Sequence, residues 1–157
     1  MAQPAFDCVV RGGRIATAID EYDADIGIKD GVIVAIGRHL APGASEIDAA
    51  SRLVLPGGVD AHAHIEQLSA AGIVNADTFE SATRAAAFGG TTSVVSFAAQ
   101  HVGMDLKRVV GDYMALAKKG ALVDYALHMI VADPRRLPCM STFPSWSPRD
   151  ARPSRCS

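Results

Sequence analysis

The first third of the chain alternates apolar and polar residues with a period of two. The stretch ADIGIKDGVIVAIG alternates on both sides of Asp30-Gly31. An Asp-Gly pair between two such segments is a strong signal for a β-hairpin whose two central residues have positive φ. FDCVVRGGRI and EIDAASRLVLPGG are predicted to be further strands. Residues 1–55 are therefore interpreted as a β-rich segment.

From residue 56 onward the pattern changes to alternating strands and helices. VDAHAHI, TTSVVSFAA and VDYALHMIV are predicted strands, and NADTFESATRAAAFGG and MDLKRVVGDYMALAKKG are predicted helices. In the first helix Asp77 is expected to be the N-cap, Glu80 to complete a capping box, and Gly89 to end the helix. Strand–helix–strand–helix–strand is typical of parallel βαβ units, so the predicted fold class is α/β.

The chain changes character again after Asp133-Pro134. Arg, Pro and Ser make up 14 of the 23 residues over 135–157, and no apolar face of either period is visible. Four prolines at irregular spacing exclude a regular helix. Residues 135–157 are therefore interpreted as an irregular tail.

Composition narrows the class of protein. Hydrophobic residues make up 49% of the chain and charged residues 20%, enough apolar material for a folded core. The net charge of −2 implies no attraction to nucleic acid or to an anionic membrane. The N-terminus lacks the pattern of a signal peptide, and no apolar run has the length of a membrane span. Three cysteines without metal-ligand spacing (Cys8, Cys139 and Cys156) fit a reducing cytoplasm.

His62 and His64 are the candidate metal ligands. On a strand, residues i and i+2 point to the same face, about 6.5–7 Å apart, so two imidazoles can approach one divalent metal such as zinc. Taken alone, a His-x-His motif favours two ordinary surface or core histidines on a strand over a metal site, because so short a motif recurs often by accident.

The surrounding sequence supplies a resemblance. LVLPGGVDAHAHI, together with ADIGIKDGVIVAIG, GGTTSVVSF and DYALHMIV, resembles the hydantoinase and dihydropyrimidinase family of the amidohydrolase superfamily over about residues 6–134. The resemblance implies that residues 1–55 belong to a β-sandwich-like domain. It implies that residues 56–134 are the first three βα units of a truncated TIM-type barrel. The expected reaction is hydrolysis of C–N bonds in cyclic amides, by opening of hydantoin or dihydropyrimidine rings.

The resemblance also implies a cofactor. Intact relatives hold two divalent metals, expected to be zinc, bridged by a carboxylated lysine, and His62 and His64 would be ligands of the first metal. The metals would activate water and polarise the substrate carbonyl, and a later aspartate would act as general acid and base. The substrate would be a small cyclic amide or imide, and intact relatives would be homotetramers. Neither nucleic acid nor a membrane is an expected partner.

Part of that machinery is missing from the sequence. The chain has four lysines, Lys29 in a predicted hairpin and Lys107, Lys118 and Lys119 in a predicted helix. None of them is placed to bridge two metals, and the aspartate that would act as general acid and base is also missing. No catalytic residue is therefore assigned, and this chain alone is expected to be inactive. The alternative function is a non-catalytic scaffold or interaction protein on the same fold. Three other histidines are not assigned to the metal. His101 is expected to have a structural role in a loop, and His128 to be a core residue whose hydrogen bonds are satisfied. His39 lies in the β-rich segment.

A shift of reading frame would explain the tail. Relatives continue after ADP with a helix and then a strand carrying Ser-Leu-Lys-x-Phe, in which the lysine bridges the metals. Codons for PRDARPSRCS, read from the third base of each, permit Ala-Gly-Arg-Ala-Ser-Leu-Lys-Val-Phe. The hypothesis is a frameshift near Pro134, against the alternative of a natural divergent C-terminus.

Overall fold

The computed structural model describes residues 4–69 and 71–136. The chain divides into two compact units, the first ending at Pro56 and the second beginning at Gly57. The strands are Phe6–Ala16 (β1), Glu21–Lys29 (β2), Val32–Gly37 (β3), Gly43–Asp48 (β4), Leu53–Val54 (β5), Gly58–Ala63 (β6), Thr91–Ala99 (β7) and Asp124–Ile130 (β8). The helices are Phe79–Phe88 (α1) and Leu106–Gly120 (α2), followed by a 3-10 turn over Pro134–Arg136.

The first unit is a mixed sheet in the order β3-β2-β1-β4, with β5 also paired to β1. β1 runs antiparallel to β2 and parallel to β4 and β5. The predicted hairpin is confirmed, since Asp30 and Gly31 join β2 to β3 with φ of 51° and 72°. The predicted strand EIDAASRLVLPGG is divided into β4 and β5 by a turn, in which the amide of Arg52 donates to the carbonyl of Ala49.

An ion-pair network crosses this sheet. The guanidinium of Arg11 donates to Asp25 at 3.0 Å and to Glu46 at 2.5 Å. Asp25 is 8% exposed and also accepts hydrogen bonds from the amides of Gly12 and Leu40. These two amides and the Arg11 side chain hold the pKa of Asp25 below its ordinary value.

The second unit confirms the α/β prediction. β6, β7 and β8 form a parallel sheet in that order, and a helix follows each of the first two strands. Ile65, Phe79, Val94 and Ala117 form the buried cluster between sheet and helices. Phe79 and Ala117 are fully buried, so this cluster fixes both helices to one face of the sheet.

The start of α1 differs from the prediction by one residue. Thr78, not Asp77, is the N-cap: its hydroxyl accepts from the amide of Ser81, and the Ser81 hydroxyl accepts from the amide of Thr78. Ser81 therefore fills the capping-box position predicted for Glu80, which instead pairs with Arg84. The predicted end at Gly89 is confirmed.

α2 confirms the second predicted helix, and its buried residues form an apolar stripe. Leu106, Val109, Tyr113 and Ala117 are buried at intervals of three and four residues, and Asp105 caps the helix by accepting from the amide of Arg108. No helix within residues 4–69 and 71–136 has both the length and the apolar character needed to cross a bilayer. The predicted tail, with Cys139 and Cys156, lies outside the described residues, apart from its first two residues in the 3-10 turn.

The carboxyl ends of β7 and β8 are joined by one buried amide side chain. Gln100 is 2% exposed. Its Oε1 accepts from the amides of Ala132 and Asp133, both at 3.0 Å, and its Nε2 donates to the carbonyl of Met104 at 2.9 Å. Gln100 thus fixes the segments that follow both strands.

Candidate metal centre

The two candidate ligands lie at the carboxyl end of β6. Ile65 is buried in the helix-facing cluster, and its amide donates to the hydroxyl of Ser96 on β7 at 3.2 Å. Because successive side chains of an extended chain alternate in direction, this anchor turns His62 and His64 to the opposite face of the sheet. Both histidines are exposed there.

The two imidazoles face each other through the same ring nitrogen. Nε2 of His62 lies 3.2 Å from Nε2 of His64, and the rings are inclined at 68°. A tetrahedral zinc with Zn–N bonds of about 2.0–2.1 Å separates two nitrogen ligands by about 3.3–3.4 Å. The observed separation therefore fits two ligand positions of one metal.

Phe97 on β7 supports both rings. Its ring centroid lies 4.7 Å from that of His62 and 4.8 Å from that of His64, and the His64 ring is stacked at 14°. Phe97 also contacts His128 at 5.2 Å. The four rings form an aromatic cluster on the sheet face opposite to α1 and α2.

The prediction that His128 is a core residue is wrong. His128 pairs in register with Phe97 and is exposed on the face of the aromatic cluster, whereas Tyr125 and Leu127 turn towards the helices. The apolar stretch YALHMIV does not show which of its two faces the helices cover. Burial on the helix side raises the pKa of the Tyr125 hydroxyl.

The other candidates lie apart from the pair. Nε2 of His101 is 3.1 Å from the carbonyl oxygen of Leu68, so the predicted loop role is confirmed by a hydrogen bond that ties the loop after β6 to the end of β7. Three of the lysines lie in α2, and Lys29 ends β2. Within residues 4–69 and 71–136, no group of three or more His, Cys, Asp or Glu side chains is placed to share a metal.

Two neighbours of the pair were not predicted, Gln67 and Phe97. Oε1 of Gln67 is hydrogen-bonded to Nδ1 of His64. Gln67 could have been found from the sequence, because it places a side-chain amide only three residues after the candidate ligand His64. The position of Phe97 depends on the register between β6 and β7, which composition alone does not fix.

Known proteins match both the sequence and the structure, although no protein-family model matches the chain. The D-hydantoinase of Streptomyces coelicolor is 45% identical over 131 residues, which cover 80% of this chain and 28% of that protein. A solved structure of a D-hydantoinase superposes with a TM-score of 0.78 at 45% identity, covering 82% of this chain and 28% of that one. The chain matches the N-terminal portion of the hydantoinase and dihydropyrimidinase family.

The match extends to a relative named for the second activity. The dihydropyrimidinase of Rattus norvegicus is 37% identical over 129 residues, which cover 78% of this chain and 25% of that protein. The chain thus spans about a quarter of the length of these hydantoinase-family relatives. The family resemblance inferred from LVLPGGVDAHAHI and its neighbouring stretches is confirmed.

Proposed function

We propose that this chain is the N-terminal part of a metal-dependent hydrolase that opens cyclic amide rings, with hydantoin or dihydropyrimidine as the substrate class. The observation that carries the proposal is the 3.2 Å approach of the two Nε2 atoms of His62 and His64 at the end of β6. The 45% identity to a D-hydantoinase supports the substrate class.

The proposed architecture follows from the order of the elements. β6, β7 and β8 would be the first three strands of a TIM-type barrel, and β1–β5 would belong to a β-sandwich-like domain. Active sites of such barrels lie at the carboxyl ends of the strands, which is where His62 and His64 stand. The whole enzyme is proposed to be a cytoplasmic homotetramer.

His62 and His64 would hold a divalent metal, with zinc as the proposed ion. When bound, the metal centre supplies a water of lowered pKa and a Lewis acid for the substrate carbonyl. Catalytic zinc sites use three protein ligands, and this pair supplies two of them. The bridging lysine and the acid–base aspartate would come from further strands. We therefore expect the 157-residue polypeptide to bind zinc weakly and to show no ring opening.

Zinc binding tests the site directly. Titration of Zn²⁺ into metal-free protein, followed by the histidine ring signals in NMR spectra, should perturb His62 and His64 first. His62→Ala and His64→Ala should each weaken binding at least tenfold. His128→Ala is the matched control, because His128 is exposed on the same face and contacts the same Phe97. Equal binding by all three variants would contradict the proposed site.

A chimera tests the activity. Residues 6–134 would replace the matching segment of the Streptomyces coelicolor D-hydantoinase, and ring opening of hydantoin and dihydrouracil would be measured with zinc present. We expect activity that is lost when both His62 and His64 are changed to Ala. A folded, zinc-binding chimera without activity would oppose the hydrolase proposal and favour the non-catalytic scaffold.

A further inference from the structure

Gln67 contacts the ring nitrogen of His64 that points away from His62. We infer that Gln67 is a positioning residue, which sets the tautomer of His64 and presents its Nε2 lone pair to a metal. The inference rests on the proposed metal function. A neutral imidazole has one N–H donor and one acceptor nitrogen, and the oxygen of a side-chain amide only accepts. Contact between Gln67 Oε1 and His64 Nδ1 therefore places the ring proton on Nδ1.

The backbone of Gln67 is held on both sides. Its amide donates to Oδ1 of Asn75 at 3.0 Å, and its carbonyl accepts from the amide of Asn75 at 3.2 Å. The residue before it, Glu66, has φ of 47°, in the left-handed region. This sharp turn directly after Ile65 brings the Gln67 side chain back to the Nδ1 edge of the His64 ring instead of continuing along the strand direction.

The left-handed residue is itself anchored. Oε2 of Glu66 accepts from the amide of Phe79, the first residue of α1, at 2.8 Å. The Glu66 amide donates to the carbonyl of Asp77 at 3.3 Å. A carboxylate at a helix N-terminus is favourable because it satisfies a free amide and interacts with the helix dipole. The position of Gln67 is thus fixed by α1, which packs its own side chains into the core.

A second restraint fixes the plane of the His64 ring. The ring is stacked on Phe97 at 14°, and of the two ring orientations related by a 180° flip, the Gln67 contact selects the one with Nδ1 towards Gln67. Nε2 is left pointing at Nε2 of His62. Metal-binding histidines commonly donate their second nitrogen to an oxygen acceptor in this way, and the acceptor orients the ring and raises its basicity.

The two ligands are consequently unequal before metal binds. A hydrogen bond between facing Nε2 atoms contains a single proton, and the proton of His64 is on Nδ1, so Nε2 of His62 is the donor. To become a ligand, His62 must move its ring proton to Nδ1, whereas His64 is already in the binding tautomer. Gln67 therefore prepares one ligand of the pair in advance.

Ring ¹⁵N shifts of the full 157-residue chain, recorded without metal and with the rings neutral, report the tautomers. We expect His64 to carry its proton on Nδ1 in the wild type. His62→Ala should retain this state, because it leaves Gln67 in place. Gln67→Glu should also retain it, because a carboxylate accepts the same proton, whereas Gln67→Leu should give a mixture of tautomers. A His64 proton on Nε2 in the wild type, or no change in Gln67→Leu, would overturn the inference.

Zinc titration of the same proteins separates this inference from the proposed function. Loss of an oxygen acceptor behind a ligating histidine typically costs about 10–100-fold in metal affinity. We expect that loss in Gln67→Leu and near wild-type affinity in Gln67→Glu. Equal affinity in the wild type and Gln67→Leu would overturn the inference while leaving the metal site standing. The expected tautomers without any zinc binding would instead support the role of Gln67 and overturn the metal function.

Discussion

Replacing Gln100 by leucine should destabilise the second unit out of proportion to the small change in side-chain volume. The substitution replaces a polar amide by an apolar side chain of similar size in a site that is 2% exposed, and it removes three hydrogen bonds. Two are accepted from the amides of Ala132 and Asp133, and one is donated to the carbonyl of Met104.

The magnitude follows from where each partner lies. Asp133 is 4% exposed, so its amide loses its acceptor in a site closed to water, at a cost of about 1–3 kcal/mol. Ala132 and Met104 are exposed, so the Ala132 amide and the Met104 carbonyl can form hydrogen bonds with water instead. The loss of stability is therefore limited to about 0.5–1.5 kcal/mol for each of these two bonds. Together the loss is about 2–6 kcal/mol, a large share of the stability of a typical domain, which is about 5–15 kcal/mol.

Urea unfolding of the full chain, followed by circular dichroism, would measure the change. Native-state hydrogen exchange would show whether the amide of Asp133 loses protection. Gln67→Leu is the matched control, since it makes the same chemical change at a half-buried side chain with one hydrogen bond, and it should cost only about 0.5–1.5 kcal/mol. The reasoning is refuted if Gln100→Leu and Gln67→Leu are equally stable and the Asp133 amide stays protected.

Three further outcomes are expected. Hydrogen bonds from the Gly12 amide, from the Leu40 amide and from Arg11 lower the pKa of Asp25 from 3.8, so its stabilisation is complete above that pH and is lost as pH falls through the lowered value. Urea melts between pH 7 and pH 2 should show a shallower acid loss in Asp25→Asn, and identical slopes would contradict this. A Cβ at Gly57 would lie 2.1 Å from Oγ1 of Thr92, so Gly57→Ala should cost about 1–3 kcal/mol by thermal melts, with part recovered when Thr92→Ala is added. Resequencing the gene from codon 133 should show the Ser-Leu-Lys-Val-Phe motif in the shifted frame, and a shifted frame without family-like sequence would favour a natural divergent tail.

Short-range patterns in the sequence predicted the helices and strands well. The error at the start of α1 is also confined to neighbouring residues. Asp30-Gly31 and the spacing of α2 were sufficient because a two-residue turn and an apolar stripe each depend on neighbouring residues alone. The cap of α1 was misplaced by one residue because Asp77 and Thr78 are both good N-cap residues. Reciprocal bonds between Thr78 and Ser81 decide between them, and residue type alone does not reveal those bonds.

The site was predictable as far as strand geometry reaches. His62 and His64 share a face because of the two-residue period, and that part needed no tertiary information. The orientation of Gln67 depends on the left-handed turn at Glu66, which α1 stabilises from a distance along the chain. The exposure of His128 likewise depends on which face of β8 receives the helices. The orientation of Gln67 and the exposure of His128 both result from packing between elements, so the residue pattern of a single strand does not predict them.

The central position of β1 has a consequence for synthesis on the ribosome. β1 is made before all of its partners, and two of them, β4 and β5, lie beyond the hairpin formed by β2 and β3. Translation proceeds at about 5–20 residues per second, so one edge of β1 stays unpaired for seconds before Gly43–Asp48 is made. The nascent chain therefore carries an open strand edge during that interval, a period in which chaperone binding and pairing with a neighbouring nascent chain compete for the same hydrogen bonds.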